Sequence, residues 1–150
     1  MALVIVNRCP YPRPISVKLG EKAEVENGYL VGIGEPKFVG DQELYEGKFP
    51  DGKLQVGIIA EPFHPYDKRD KEIDVVHKQG DVVRVYPQSK GDCFTVPKAA
   101  FSGAIAMNDL VKAKTGNYQL TKDTDGTSAF AKVTRIYTVN GHESVRIEFI

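Results

Sequence analysis

Short stretches in which apolar and polar residues alternate, separated by turn residues about every 8–12 positions, constrain the fold of this chain most strongly. Alternation is clearest in residues 144–149, where Val145, Ile147 and Phe149 face one side, as in a strand with one buried face. Only residues 98–110 leave room for a short helical turn. The pattern predicts a mostly β fold, either a small β-barrel or a sandwich. Further strands in the second half are predicted at residues 81–86, 92–96, 110–113, 118–121 and 129–139.

Two Asn-Gly dipeptides predict β-hairpins, because both residues tolerate the positive φ angles of tight two-residue turns. Asn140-Gly141 follows the predicted strand at residues 129–139 and precedes the one at 144–149. Asn27-Gly28 lies between a weaker strand at residues 22–26 and a returning strand at residues 29–33. We therefore expect the strands that flank each dipeptide to be paired.

The first half of the chain is less regular. Strands are predicted at residues 3–6, 15–19 and 54–60, the last being the most continuous apolar run in this half. Residues 40–53 mix acidic residues with apolar ones and end in the Pro50-Asp51-Gly52 turn. Residues 91–122 read strand, turn, strand, and we expect them to close the barrel.

A proline cluster near the N-terminus predicts an extended arm. Pro10, Pro12 and Pro14 cannot donate to a β-ladder, and each pushes the residue before it toward extended geometry. We therefore predict an arm at residues 1–14 and a single β domain at residues 15–150, with long loops and a candidate subdivision near residues 75–80. Such an arm is either a plain linker or a segment that lies along a neighbouring protein.

Composition and charge narrow the classes of function. Twenty Lys and Arg balance twenty Asp and Glu, so the chain lacks the basic excess of proteins that neutralise many phosphates, and we expect no nucleic-acid partner. No apolar run approaches the roughly 20 residues that span a bilayer, so no membrane association is expected. Cys9 and Cys93 lie far apart without a CxxC motif, which predicts two free thiols in a reducing cytoplasm or in a particle assembled there.

No pattern predicts a catalytic, cofactor or metal site. The charged loop at residues 61–74 offers His64 and several acids, but interleaved Lys and Arg neutralise them, so a solvated loop or a partner-binding surface is expected. Residues 123–126 begin like a calcium loop, yet Lys132 stands where the bidentate Glu is required. Glycines at positions 32, 34 and 40 lack dinucleotide-binding spacing. The chain is therefore expected to be non-enzymatic.

From about Val25 onward the order of these signals resembles structural head proteins of tailed bacteriophages, most closely capsid decoration, or auxiliary, proteins with a small β-barrel. The resemblance runs through VENGYLV, VGIIAEP, GDVVRVYPQSKGDCFTV and the closing AFAKVTRIYTVNGHESVRIEFI. One departure is the segment AIAMND, where such barrels more often place a Gly before the Asp. The residues that stand in the family's positions are Gly91, Asp92, Phe94, Val96, Asp109, Leu110, Val111, Gly116, Val145, Ile147 and Phe149.

The resemblance implies a virion protein on the capsid surface, assembled in the host cytoplasm, that binds the major capsid protein from outside and stabilises the shell. It would act as a homo-oligomer or in many copies. Partner contacts are then expected in the proline-rich arm and in the aromatic part of the charged loop. These candidate residues are Cys9, Pro10, Tyr11, Pro12, Arg13, Pro14, Phe63, His64, Pro65 and Tyr66.

Two other functions stay open at this point. One is another phage structural role, as a head–tail connector or a tail protein. The other is a small ligand-binding or enzymatic β-barrel, which would need a polar pocket in the barrel. The regular alternation of residues 144–149 predicts a packed interior instead.

Overall fold

The computed structural model describes residues 4–9, 13–20, 22–40, 42–50, 54–60 and 76–150. These residues form fourteen β-strands and a single 3-10 turn at Lys98–Ala100, which confirms the mostly β fold. The strands are β1 (Ile5–Arg8), β2 (Ile15–Lys18), β3 (Glu24–Val25), β4 (Leu30–Val39), β5 (Gln42–Lys48), β6 (Gln55–Ile59), β7 (His77–Lys78), β8 (Val82–Pro87), β9 (Cys93–Pro97), β10 (Phe101–Ser102), β11 (Leu110–Ala113), β12 (Leu120–Lys122), β13 (Ala131–Val139) and β14 (His142–Phe149).

Five strands close into a small barrel in the order β2-β5-β4-β6-β8. Neighbouring strands are antiparallel except β2 and β5, which are parallel and pair Val17 with Tyr45. The barrel is therefore closed by β2, which bonds β5 on one side and β8 on the other. Branched apolar side chains fill its interior: Val17, Leu19, Val25, Val31, Ile33, Ile59, Val83 and Val85.

The second layer is a seven-stranded sheet in the order β1-β9-β14-β13-β11-β12-β10. Residues 91–122 contribute β9 to β12 to this sheet, so the expectation that they close the barrel is wrong. The physical reason is that β9 finds its partners in β14 and in the N-terminal strand β1, both of which lie outside the barrel. The sheet thus comes mainly from the second half of the chain and the barrel mainly from the first, with β1 in the sheet and β8 in the barrel as the exceptions.

Strand β6 and the first part of β4, residues 30–33, join the two layers because both of their faces are buried. Leu30, Val56 and Ile58 point toward the sheet, whereas Val31 and Ile59 point into the barrel. A strand buried on both faces reads as a continuous apolar run, which explains the sequence LQVGIIA at residues 54–60. The two layers therefore pack together through β4 and β6, which contribute side chains to both cores.

Aromatic rings occupy the space between β6, β8 and the sheet. Phe94 lies with its ring centroid 5.6 Å from that of Phe149 and 5.6 Å from that of Tyr86, and Phe130 lies 6.0 Å from Phe149. These separations are typical of tilted aromatic pairs, which add to the energy of burial. The apolar residues that β9 and β14 contribute therefore form part of the core face of the sheet. In β14 these are the alternating residues predicted from the sequence.

The two Asn-Gly dipeptides have different roles. Asn140-Gly141 connects β13 to β14 with Val139 opposite His142, as predicted. Asn27-Gly28 does not form a hairpin: β3 pairs with β7, and β4 pairs with β5 and β6. Gly28 has φ of +97°, and its N–H donates to the carbonyl of Ile59 at 2.7 Å, so the turn is a corner that directs the chain into the barrel.

Other strand boundaries also differ from expectation. Strand β4 continues past residue 33 to Val39, with the irregularity between Ile33 and Pro36 placing the proline at a bulge. Residues 42–48, read only as a mixed segment, are strand β5. Strand β1 is described from Ile5 and continues through Asn7 to Arg8, where the sequence predicted a stop.

Candidate functional site

The β4–β5 hairpin extends beyond the barrel. Strand β6 pairs with β4 only from Leu30 to Ile33, and β2 pairs with β5 only at Tyr45 and Glu46. The distal part, residues 36–44, is paired only within the hairpin among the described strands. A structural element that projects from a closed barrel in this way is free to contact another protein.

Phe38 lies near the tip of this hairpin, opposite Glu43, and is 72% exposed. It is the most exposed large apolar side chain in the described part of the protein. Single exposed apolar residues are common on protein surfaces. Phe38 differs from these because it is aromatic and stands on a projecting strand, and aromatic side chains are enriched at protein interfaces.

Three charged side chains of the hairpin pair with one another. Lys37 Nζ lies 2.5 Å from Glu46 Oε1, and Lys48 Nζ lies 3.9 Å from the other carboxylate oxygen. The hydrogen bond to Lys37 lowers the pKa of Glu46 and raises the pKa of Lys37. Because these charges are paired within the hairpin, docking it against an apolar surface would leave no uncompensated charge at this position.

The first part of the predicted arm is built into the sheet. Strand β1 pairs antiparallel with β9, and the Arg8 side chain donates to the carbonyl of Gly91 at 2.9 Å. Arg8 Nη2 also lies 2.8 Å from Glu148 Oε1, two strands away. In this register Cys93 lies between Arg8 and Glu148, so the ion pair crosses the position of this buried thiol.

Cys9 follows β1 and contacts the turn before β9. Its Sγ lies 3.3 Å from Asp92 Oδ2. Burial, and then the hydrogen bond to Asp92, raise the pKa of the Cys9 thiol to about 11. The thiol is therefore protonated at neutral pH and lacks the thiolate character that a nucleophilic cysteine requires.

A cleft of about 420 Å³ lies beside this contact. Cys9 and Arg13 of the arm line it together with Tyr45, Tyr86 and Asp92, so the structure brings these two predicted residues to one place. Pro14 is exposed next to Arg13. The other predicted contact residues, Pro10, Tyr11, Pro12, Phe63, His64, Pro65 and Tyr66, lie outside the described residues.

Polar groups in the described part serve structural roles. His77 Nε2 lies 2.9 Å from Asn27 Oδ1, which is buried with it beside the β3–β7 pair. The Asp123 carboxylate is also buried, which opposes ionisation, but N–H donors of Ser128, Gly126 and Asp125 outweigh this and lower the pKa of Asp123. Asp123 therefore organises the turn that resembled a calcium loop.

Among the described residues, no cluster of three or more His, Cys, Asp or Glu side chains could hold a metal ion. Among the same residues, no helix has the length and apolar character to cross a membrane.

Sequence reasoning missed Phe38 as a surface anchor. The signal that could have found it is the Gly40-Asp41 dipeptide, which is a two-residue hairpin turn type flanked here by GEPKFV and QELYEG. Recognising that turn would have placed Phe38 close to the tip of a polar hairpin.

The sequence matches no protein-family model and no curated protein. Among solved structures, the chain is similar to the head fiber gp8.5 N base of bacteriophage phi29, with 12% sequence identity and a TM-score of 0.47, over 93% of this chain and 94% of that chain. Similarity at this level does not assign the chain to a family.

Proposed function

We propose that this protein is a non-enzymatic structural protein of a bacteriophage virion that binds the outside of the assembled capsid and stabilises it. The observation that carries the proposal is the projecting β4–β5 hairpin, which presents an exposed aromatic side chain and internally paired charges. The resemblance of the sequence to capsid decoration proteins supports the same role. The proposal does not rest on the phi29 neighbour.

The residues that carry the resemblance build the scaffold. Phe94, Val145, Ile147 and Phe149 are all buried in the core face of the seven-stranded sheet. Gly91 adopts a φ of +90° in the turn before β9, a conformation that L side chains rarely adopt. The motif therefore specifies how the sheet folds, and the partner-binding residues must lie on surfaces outside it.

The hairpin offers a specific docking mode. In this mode Phe38 enters an apolar hollow on the major capsid protein, and Glu43 and Lys37 remain at the polar rim. Interfaces are organised in this way, with a buried aromatic anchor surrounded by polar contacts that exclude water. Many copies on one shell, or a homo-oligomer, would compensate for the modest affinity of a single small contact.

The arm provides a further predicted contact. Arg13 lines the cleft next to Cys9, and both Arg13 and the adjoining Pro14 are exposed. Together with residues 10–12 and 63–66, they complete the set of contacts predicted from the sequence. Deleting residues 1–14 would remove β1 and uncover β9, so point substitutions at Arg13 and Phe38 are better tests than truncation.

Cosedimentation with assembled shells of the cognate phage tests the proposal. The wild-type protein is expected to pellet with shells, and Phe38→Ser is expected to weaken binding by about tenfold or more. Met107→Ser is the matched control, because Met107 is 55% exposed and lies between β10 and β11, away from the β4–β5 hairpin. This substitution should change binding by no more than about twofold. If the wild-type protein does not bind shells, the proposed function is wrong; if both variants bind like wild type, the hairpin is not the docking element.

Copy number per particle separates the proposed role from the other phage roles. A decoration protein is expected in numbers that scale with the shell subunits. A head–tail connector would instead form one ring at a single vertex, and a tail protein would remain with isolated tails. Quantitative gel densitometry of purified heads and tails measures this directly, and a copy number fixed at a single ring would contradict the capsid-surface role.

A further inference from the structure

The outer edge of β13 is open along half of its length. Strand β11 covers this edge only at Ala131 and Lys132, and the N–H of Asn108 donates to the carbonyl of Val133 at 2.9 Å. From Arg135 to Val139, β13 bonds only to β14 within the described part of the chain. An uncovered strand edge can accept a strand from another protein.

Two peptide units on this segment point outward. The Asn140-Gly141 turn is a two-residue loop that joins Val139 to His142, so Val139, Tyr137 and Arg135 occupy the positions whose backbone groups bond β14. The backbone groups of Ile136 and Thr138 then face the open edge. The segment is rich in β-branched and aromatic residues and contains neither Gly nor Pro, so it favours strand addition.

Two arginines stand directly opposite each other beside this edge. Arg135 pairs with Arg146 across β13 and β14, an arrangement that is unfavourable for like charges. Arg135 stacks on Tyr137, with its guanidinium carbon 4.2 Å from the ring centroid. The Nε of Arg146 is buried and has no hydrogen-bond partner in the described part of the protein.

The acids on these strands do not neutralise the arginine pair. Glu148 is paired with Arg8, and Glu143 lies 3.3 Å from Lys98 Nζ. No ion pair to Arg135 or Arg146 exists among the residues that the structure describes. The two guanidinium groups therefore present positive charge that a carboxylate could satisfy.

A hydrogen-bond chain fixes the surrounding face. Thr95 Oγ1 donates to Asn7 Oδ1 at 2.6 Å, and the Tyr137 hydroxyl, also 2.6 Å from Thr95 Oγ1, then donates to it. This chain links β1, β9 and β13 across the sheet and holds Tyr137 beneath the Arg135 guanidinium. A face held in this way needs little ordering when it binds a partner.

We propose that the open edge of β13 binds an extended acidic segment of another protein, which adds as a strand and places a carboxylate beside Arg135, on the face that also carries Arg146. A residue opposite Arg135 on an added strand would have its Cβ about 5 Å away, within reach of a Glu or Asp side chain. A second copy of this chain fits less well, because residues 135–139 carry no acidic side chain that could pair with Arg135. This surface is separate from the β4–β5 hairpin, so the proposal does not depend on shell binding.

A short acidic strand peptide, acetyl-TVEVEVT-amide, serves as the probe, with acetyl-TVQVQVT-amide as its uncharged counterpart. Titration into the full-length protein, followed by amide chemical shifts, is expected to show binding that perturbs Ile136 and Thr138 and that weakens as salt is added. Arg135→Gln should weaken binding of the acidic peptide by about tenfold, and Arg146→Gln should weaken it by less, because Arg146 lies one strand farther from the open edge. Lys132→Gln, a charge removed from the covered part of β13, should change it by no more than about twofold.

Backbone pairing is tested separately. Ile136→Pro removes one outward N–H while leaving the ladder to β14 intact, since proline is tolerated on strand edges, and it should abolish binding. Ile136→Ala controls for the lost side chain and should retain binding, and thermal unfolding of both variants shows whether they fold. Equal binding of the two peptides, no effect of the arginine substitutions, or amide exchange at Ile136 and Thr138 as slow as in β14 would overturn the proposal. Dimerisation of the free protein through this edge would overturn it as well.

Discussion

The β4–β5 and β13–β14 hairpins are built alike and differ in how they handle charge. Each has a two-residue turn, and each extends beyond the strands that flank it. In β4–β5 Lys37 pairs with Glu46 and a phenylalanine is exposed. In β13–β14 two arginines face each other, and Val133, Val145, Ile147 and Phe149 are directed into the core. The first hairpin is thus suited to an apolar partner surface, and the second to an acidic strand.

The second strands of the two hairpins, β5 and β14, also differ in how firmly they are anchored. Val133, Val145, Ile147 and Phe149 at the base of β13–β14 are buried in the main core. On β5, by contrast, Leu44 is partly exposed. The open edge of β13 therefore belongs to a firmly anchored strand pair. The distal part of the β4–β5 hairpin, by contrast, can adjust its conformation on contact with a partner.

Truncating one side chain in each hairpin tests this difference in anchoring and should give the largest effect. Ile147→Ala removes a fully buried side chain and is expected to lower the free energy of unfolding by about 3 kcal/mol. Leu44→Ala should cost less than about 1 kcal/mol, because Leu44 buries less surface. Chemical denaturation measures both values, and equal losses would show that the β4–β5 hairpin is anchored as firmly as β13–β14.

Substituting the turn glycines tests whether the hairpins share the same turn construction. Gly141 and Gly40 have φ of +80° and +63°, and neither would bring an added Cβ within 4 Å of another atom. Only backbone strain is then at issue, so Gly141→Ala and Gly40→Ala should each cost about 1 kcal/mol. Thermal unfolding should show a fall of roughly 2–4 °C in Tm for each variant. A loss confined to one variant would contradict the shared construction.

Replacing Arg135 by an acidic residue would give β13–β14 a cross-strand pair of opposite charges, as in β4–β5. This change tests whether the arginine pair serves to bind a partner. Arg135→Glu would replace a repulsive cross-strand pair by an attractive one and should stabilise the protein by about 0.5 kcal/mol. The same change should abolish binding of the acidic peptide, because the added carboxylate occupies the arginine that the peptide needs. Loss of stability would show that the Arg135 contact with Tyr137 matters more to the fold than the repulsion does.

The charge pairing in β4–β5 predicts a pH dependence of stability, and this is the smallest effect. The pKa of Glu46 is lowered by Lys37, so the stabilisation is present above the carboxyl's unfolded pKa and is lost as the pH falls through the lowered value. The pKa of Lys37 is raised, so the contribution of Lys37 to stability is present below the ordinary lysine pKa and is lost as the pH rises through the raised value. An NMR titration of Glu46 should show a midpoint below the ordinary 4.5, and Lys37→Gln should move it up. An unchanged midpoint would show that the pair is not formed in solution.

The strands of the second half were predictable because each buries one face. Period-two alternation located β14, and Asn140-Gly141 located the turn that precedes it. The packing of the barrel against the sheet was not predictable in the same way. Strands β4 and β6 bury both faces, and a continuous apolar run does not show which neighbour lies on which side.

The candidate surfaces depend on features that a single sequence hides. Arg135 meets Arg146 only because the register shifts between Val133 and Arg135, and that irregularity has no clear sequence signal. Asn27-Gly28 carries the same dipeptide as the true hairpin, yet the segment before it pairs with β7, far along the chain. Phe38 stands among polar residues next to Pro36, so local patterning did not indicate a strand there.

An image of the protein bound to its native capsid, at a resolution sufficient to orient the barrel and the sheet, tests the central claim most directly. We predict density on the outer surface of the shell, in many symmetry-related positions, with the tip of the β4–β5 hairpin directed at a major capsid protein subunit. Density at a single vertex or along the tail would contradict the decoration role. A protein bound to the shell with that hairpin pointing into solvent would contradict the docking mode.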